Sequence, residues 1–176
     1  MSATLPGVSS RPPDPSPKSL RDRPPGIAKL DQRIPFLLSQ LGAYLADEFH
    51  RRLAPLGVEP RIYAVLLALA EKDGQSQREL SERLGIHRNA MVTAVDLLES
   101  RGLVDRRRHP TDRRAFAVTL TAAARDLLPA LDEQGRALED TLTAPLSADE
   151  RAALLGQLQR ISAAAGLIPG VHPKLG

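Results

Sequence analysis

Between Arg101 and Arg114 the chain holds six arginines against two aspartates, a net charge of +4, whereas the whole 176-residue chain carries only +3. The rest of the chain is therefore about neutral. Two adjacent segments with that much like charge repel one another unless a polyanion lies against them, and nucleic-acid phosphate is the commonest one. A solvated charged loop is the plain alternative. Just upstream, Gln77 and Arg78, then Arg88, Asn89, Ala90 and Thr93, place amide, guanidinium and methyl groups within two short stretches. An asparagine can pair bidentately with adenine, and an arginine with guanine or with a phosphate. Those neighbours turn the balance toward a nucleic-acid face.

Other chemistry is poorly represented. The four histidines, His50, His87, His109 and His172, show no metal-ligand spacing. No carboxylate pair sits in a recognisable catalytic motif and no glycine-rich phosphate loop appears, so an enzyme is the weakest reading and no metal or cofactor is expected. The chain has no cysteine, which excludes disulfides, thiolate metal sites and thiol-based redox sensing.

The elements that must position these side chains are legible. Ser76 and Glu79 have the spacing of a capping box, so a helix starts there. Leu80 and Leu84 lie one turn apart, and Gly85 stops this helix. From Arg88, the residues Met91, Val92, Val95, Leu98 and Leu103 repeat every three or four positions as the apolar face of a second helix, closed by Gly102. His87 stands where a small oxygen-bearing N-cap is usual, which leaves that cap an open question. Leu103 and Val104 then open a strand, and Ala115, Phe116, Val118 and Leu120 belong to its partner, with Phe116, Val118 and Leu120 alternating as on a half-buried strand. Pro110, Thr111 and Asp112 supply the turn between them.

Helix, turn, helix and basic hairpin, in that order, resemble the winged helix-turn-helix of the MarR (multiple antibiotic resistance regulator) family. The resemblance rests on Asp112, Arg114, Val118, Leu120 and Thr121, which match that family's wing pattern, together with Gly102-Leu103-Val104 and Arg106-Arg107. It extends more loosely over residues 31–166 and does not reach the first thirty. The implied fold is mainly α with a small β-hairpin wing (α+β), a winged helix-turn-helix with N- and C-terminal dimerisation helices.

In a helix-turn-helix the second helix offers its N-terminal residues to base edges in the major groove. That places Arg88, Asn89, Ala90 and Thr93 toward bases. Gln77 and Arg78, at the start of the first helix, suit phosphate contacts. Arg108, His109 and Arg113 also suit phosphates, and Arg106 and Arg107 point to opposite sides of their strand, so at most one faces DNA. The resemblance implies that Arg114 enters the minor groove, held by Asp112; a purely structural pinning of the turn is the alternative.

The flanks complete the plan. Seven prolines in the first twenty-five residues make 1–30 a core-less tail, either solvated or a basic arm through Arg11, Lys18, Arg21 and Arg23. A long helix begins at Ile34-Pro35, with Leu38, Leu41, Leu45, Phe49 and Leu53 as its stripe and His50, Arg51 and Arg52 in its last turn, where cations suit the helix dipole. Pro60 opens another, burying Ile62, Val65, Leu66 and Leu69, with Tyr63 on its flank. Thr121 caps a long helix through Leu127, Leu128, Leu131, Leu138 and Leu142, in which Pro129 removes a hydrogen bond and is expected to kink the chain. Ser147 and Glu150 start a last helix carrying Leu154, Leu155, Leu158 and Ile161.

Residues 59–120 thus form the DNA-binding domain, 31–58 and 121–166 a helical dimerisation region, and 167–176 a C-terminal tail. The flanking leucines exceed what the small domain can cover, which favours a two-fold dimer over a monomer folded on itself. No stretch approaches the length of a membrane span and no secretory signal is evident, so the cytoplasm is expected. Together with the resemblance this implies a homodimeric transcriptional regulator, usually a repressor, on a pseudo-palindromic double-stranded DNA operator. A small aromatic or phenolic effector would modulate it. The alternative is a winged-helix module whose basic wing docks an acidic protein.

Overall fold

The computed structural model describes residues 26–108 and 116–173. They fall in two compact units divided between Gln40 and Leu41. The elements are α1 (Ala28–Asp31), α2 (Ile34–Leu53), a 3-10 turn (Ala54–Leu56), α3 (Pro60–Glu71), β1 (Gln75–Ser76), α4 (Gln77–Leu84), α5 (Arg88–Ser100), β2 (Val104–Arg108), β3 (Phe116–Leu120), α6 (Ala122–Thr143) and α7 (Ala148–Ala164). The expected class holds: mostly helix, with one small antiparallel sheet.

Local signals act where they were read. Ser76 Oγ accepts from the Glu79 N–H while the Glu79 carboxylate accepts from the Ser76 N–H, and Ser147 and Glu150 do the same at the start of α7. Thr121 caps α6 through the Ala124 N–H. Pro60 occupies the first turn of α3, where its missing N–H leaves no partner wanting. His87 does cap α5: its Nδ1 accepts from the Asn89 N–H at 3.3 Å, a ring nitrogen standing in for the usual oxygen. Pro129 lies inside α6, which runs on through it from Ala122 to Thr143.

The sheet has three strands in the order β1-β3-β2, not the hairpin alone. Gln75 pairs with Val118 and Ser76 with Ala117, while β2 runs from Val104 opposite Leu120 to Arg108 opposite Phe116. A two-residue strand is too short to read from alternation. Gln75 is nonetheless buried, and its amide donates to the carbonyls of Ala68 and Lys72 at 3.0 and 2.6 Å, satisfying the C-terminal end of α3. Asp73 ties the same corner to the sheet and to α6: Oδ1 accepts from the Leu120 N–H at 3.0 Å and Oδ2 pairs with Arg125 at 2.5 Å.

The core lies where α3, α4, α5, α6 and the sheet meet. Val65, Leu66, Leu69, Leu80, Met91, Val95, Leu98, Val118 and Leu131 are all fully enclosed there. Three expectations need correction. Val92 does not share the core face of α5 and is 42% exposed. Phe116 is 57% exposed, because the end of β3 at which it pairs with Arg108 projects beyond the core, and Ala117, flanked by strands on both sides, is buried instead. Leu103 follows the helix rather than ending it. Within α2, Leu38 and Leu41 remain exposed and only Leu53 is buried, and no residue of α7 is buried.

Gly85 ends α4 at φ +65°, and a Cβ there would come within 2.8 Å of Val171 Cγ1. Left-handed backbone costs an L-residue about 1–2 kcal/mol. Gly85→Ala is expected to lower stability by at least about that much, seen in urea unfolding as a lower midpoint at unchanged slope.

Candidate nucleic-acid interface

Burial of Met91, Ala94, Val95 and Leu98 fixes the rotation of α5 about its axis. The opposite arc carries Arg88, Asn89, Val92, Thr93 and Asp96, all exposed. Thr93 Oγ1 donates to the Asn89 carbonyl at 3.1 Å, one turn back. Ala90 is half-buried and packs on the core, so it sits at the edge of this arc rather than in it.

Arg106 organises the ground beside that face. Its side chain, 22% exposed, reaches from β2 to the Asp96 and Glu99 carboxylates of α5. With its amide oxygen turned inward, Gln77 accepts from Arg106 Nη2 at 2.7 Å. One guanidinium therefore joins β2, α5 and the first residue of α4. It also offsets part of the negative charge of two carboxylates that would otherwise repel an anion. Sequence reading gave Gln77 only a phosphate contact and held that at most one of Arg106 and Arg107 faces DNA; the signal for the contact seen here, Asp96 and Glu99 at i and i+3, is visible only once β2 is placed beside α5.

The six arginines thus divide. Arg101 is exposed and donates to the Gly57 carbonyl, whereas the charge of Arg106 is met by carboxylates. Arg107 pairs with Asp105 at 3.3 Å on the other side of the strand, 68% exposed. Arg108 is exposed at the end of β2. Arg78 is exposed and pairs with Glu82 at 2.8 Å. His109, Asp112, Arg113 and Arg114 lie outside the described residues, as does the N-terminal run with Arg11, Lys18, Arg21 and Arg23.

Away from this face, α2, α3, α4, α6 and the segment after α7 surround a cavity of about 1080 Å³. Its walls are apolar, with Leu45, Phe49, Leu67 and Leu138, and Tyr63, Glu71, Arg83 and His172 supply polar groups. Phe49 and Tyr63 meet edge to face at 5.0 Å. Gly135 matters because a Cβ there would lie 3.1 Å from the Tyr63 hydroxyl. Burial, and secondly the Asp132 carboxylate, push the Tyr63 phenol above the ordinary tyrosine value. Residues 167–173 were read as a plain tail; in fact Pro169, Gly170 and His172 line this cavity, and Val171 rests on Gly85, the turn between α4 and α5. His50 lies outside the lining.

A model of the MarR family matches residues 56–115. The structure of the transcriptional repressor CouR bound to a 23-mer DNA duplex superposes with a TM-score of 0.70 at 33% identity, covering 80% of this chain and 99% of that one. The chain belongs to the MarR family. It is a transcriptional regulator, and its relatives are regulators rather than enzymes. CouR from Rhodococcus jostii RHA1 bound to p-coumaroyl-CoA is similar at 30% identity and TM-score 0.65, over 76% of this chain and 94% of that one. A putative transcriptional regulatory protein for the hcr operon of Thauera aromatica is 32% identical over 105 residues, which is 60% of this chain and 63% of that protein.

Two outcomes are expected of this MarR-family regulator. In a double-mutant cycle, Arg106→Ala and Asp96→Ala should be coupled by about 0.5–1 kcal/mol in stability, shrinking as salt screens the pair; strict additivity would mean the clamp carries nothing. A raised phenol pKa contributes stability that is complete below the unfolded tyrosine value near about 10 and lost as pH rises through the folded value. Tyr63→Phe should therefore flatten the alkaline fall in stability, measured by denaturant midpoints across that range.

Proposed function

We propose that this protein is a homodimeric repressor that reads a pseudo-palindromic operator and is released by a small aromatic, phenolic effector. The observation that carries the proposal is the outward arc of α5, polar but for one residue and locked to the wing by Arg106, on a scaffold similar to that of a repressor solved on DNA.

In this reading α5 enters the major groove, with Arg88 and Asn89 on base edges and Ala90 and Thr93 permitting close approach. Arg78, Arg108, His109 and Arg113 take phosphates, with Gln77 adding to them from its place beside Arg106. Arg114, held by Asp112, reaches the minor groove. Dimerisation is supported by apolar surface left bare in the single chain: Leu41 and Tyr44 on α2, Leu155 and Ile161 on α7. Such surface is commonly buried about a two-fold axis.

The effector site is the cavity beside Tyr63. Its volume and apolar walls with a few converging polar groups suit a drug-sized ligand, and CouR's complex with p-coumaroyl-CoA supports the aromatic class. Because Arg83 and Leu84 of α4 line the cavity and Val171 packs on Gly85, a ligand there can favour one placement of the helix-turn-helix over another. Release then follows from unequal affinity for the two placements.

A salt titration against DNA flanking the gene, with random competitor, tests the proposal. Affinity should fall steeply, by about 0.9 in log K per phosphate for each tenfold in salt, with two chains per operator. Arg114→Ala should cost about 1–3 kcal/mol, and Asn89→Ala should flatten sequence preference more than affinity. Salt-insensitive binding, or one chain per site, would overturn it and promote a protein-docking module.

A further inference from the structure

We infer that Val92 is a base-reading residue that packs on the 5-methyl group of a thymine in the major groove, an inference that rests on the DNA-binding reading above. Single exposed apolar side chains are ordinary on protein surfaces, so the weight lies in where this one stands. At about 100° per residue, Val92 falls between Arg88 and Asn89, one turn earlier, and Asp96, one turn later. It therefore lies within the exposed arc, separated from buried Val95 by Arg88, while Asp96 and Asn89 hold the middle of the arc. The core of α5 is filled without it, by Met91, Ala94, Val95 and Leu98.

Two of the polar groups near Val92 are engaged within the protein. The Thr93 hydroxyl is bonded to the Asn89 carbonyl, and the Asp96 carboxylate is held by Arg106. The result is a small apolar spot inside a polar face, 42% exposed at Val92. Valine is also a poorer helix former than the straight-chain residues that usually cover an exposed helix. Its branched Cβ holds one rotamer in a helix, so the two methyls are set in place before any partner arrives. The apolar feature that a major groove offers is the thymine C5 methyl; every other group on its floor is a donor or an acceptor.

The experiment selects a preferred operator from random duplex DNA with the wild-type chain, then replaces each thymine in turn by deoxyuridine, which pairs identically but lacks the methyl. Wild type should lose about fourfold per half-site at one thymine, the change that one buried methyl group carries. Val92→Ala should bind the selected site about fourfold more weakly per half-site and be indifferent to uracil at that thymine. Its thermal unfolding should be no lower than wild type, since the side chain is outside the core and alanine is the better helix former. Uracil tolerated at every position by wild type, or an equal loss in Val92→Ala, would overturn the role while leaving sequence-specific binding intact. Failure of wild type to select any sequence would instead overturn the DNA-binding reading, and this role with it.

Discussion

The rotation of α5 is the constraint on which the rest of this structure depends. Met91, Ala94, Val95 and Leu98 must leave water together, and only one orientation of the helix achieves this against α3, α4 and the sheet. Once that arc is inside, the opposite arc is fixed outside. Arg88 and Asn89, at the N-terminal end where His87 caps the helix, are thereby presented on a rigid element rather than a loop. Loss of enclosed side chains such as Met91 or Leu98 would cost about 2–5 kcal/mol each, so the pose of the exposed arc is anchored by far more energy than any single surface contact supplies.

Arg106 transmits that rigidity sideways. Its guanidinium faces Asp96 and Glu99 on α5 and Gln77 on the helix before it. Partial burial makes these pairs stronger than fully exposed ones, which contribute little. The same contact offsets part of the negative charge that Asp96 and Glu99 put beside the exposed arc of α5.

A second axis runs from the cavity to the same helices. Tyr63 approaches α6 at Gly135, where a Cβ would lie 3.1 Å from its hydroxyl, and the segment after α7 returns to place Val171 on the turn after α4. Cavity lining and helix-turn-helix thus share residues, Arg83 and Leu84 among them. The cavity therefore adjoins the packing that orients α4 and α5, with no distant relay between them.

Much of this was written locally in the sequence. The capping boxes at Ser76 and Ser147, proline at the start of α3 and glycine after α4 depend on residues within a few positions of each other, and local chemistry suffices to place them. The concentration of arginine and the wing motif were equally plain, since charge needs only counting. What the sequence could not determine was which charges and which apolar groups face outward. Periodicity marks an apolar stripe on α5 but not its width; α3, α4, α6 and the sheet set that width, and they left Val92 outside. Arg106 and Arg107 are neighbours in sequence, yet one is clamped and the other exposed because β2 lies beside α5. β1, the cavity and the return of residues 167–173 arise from contacts between positions far apart in the chain, which only the tertiary packing brings together.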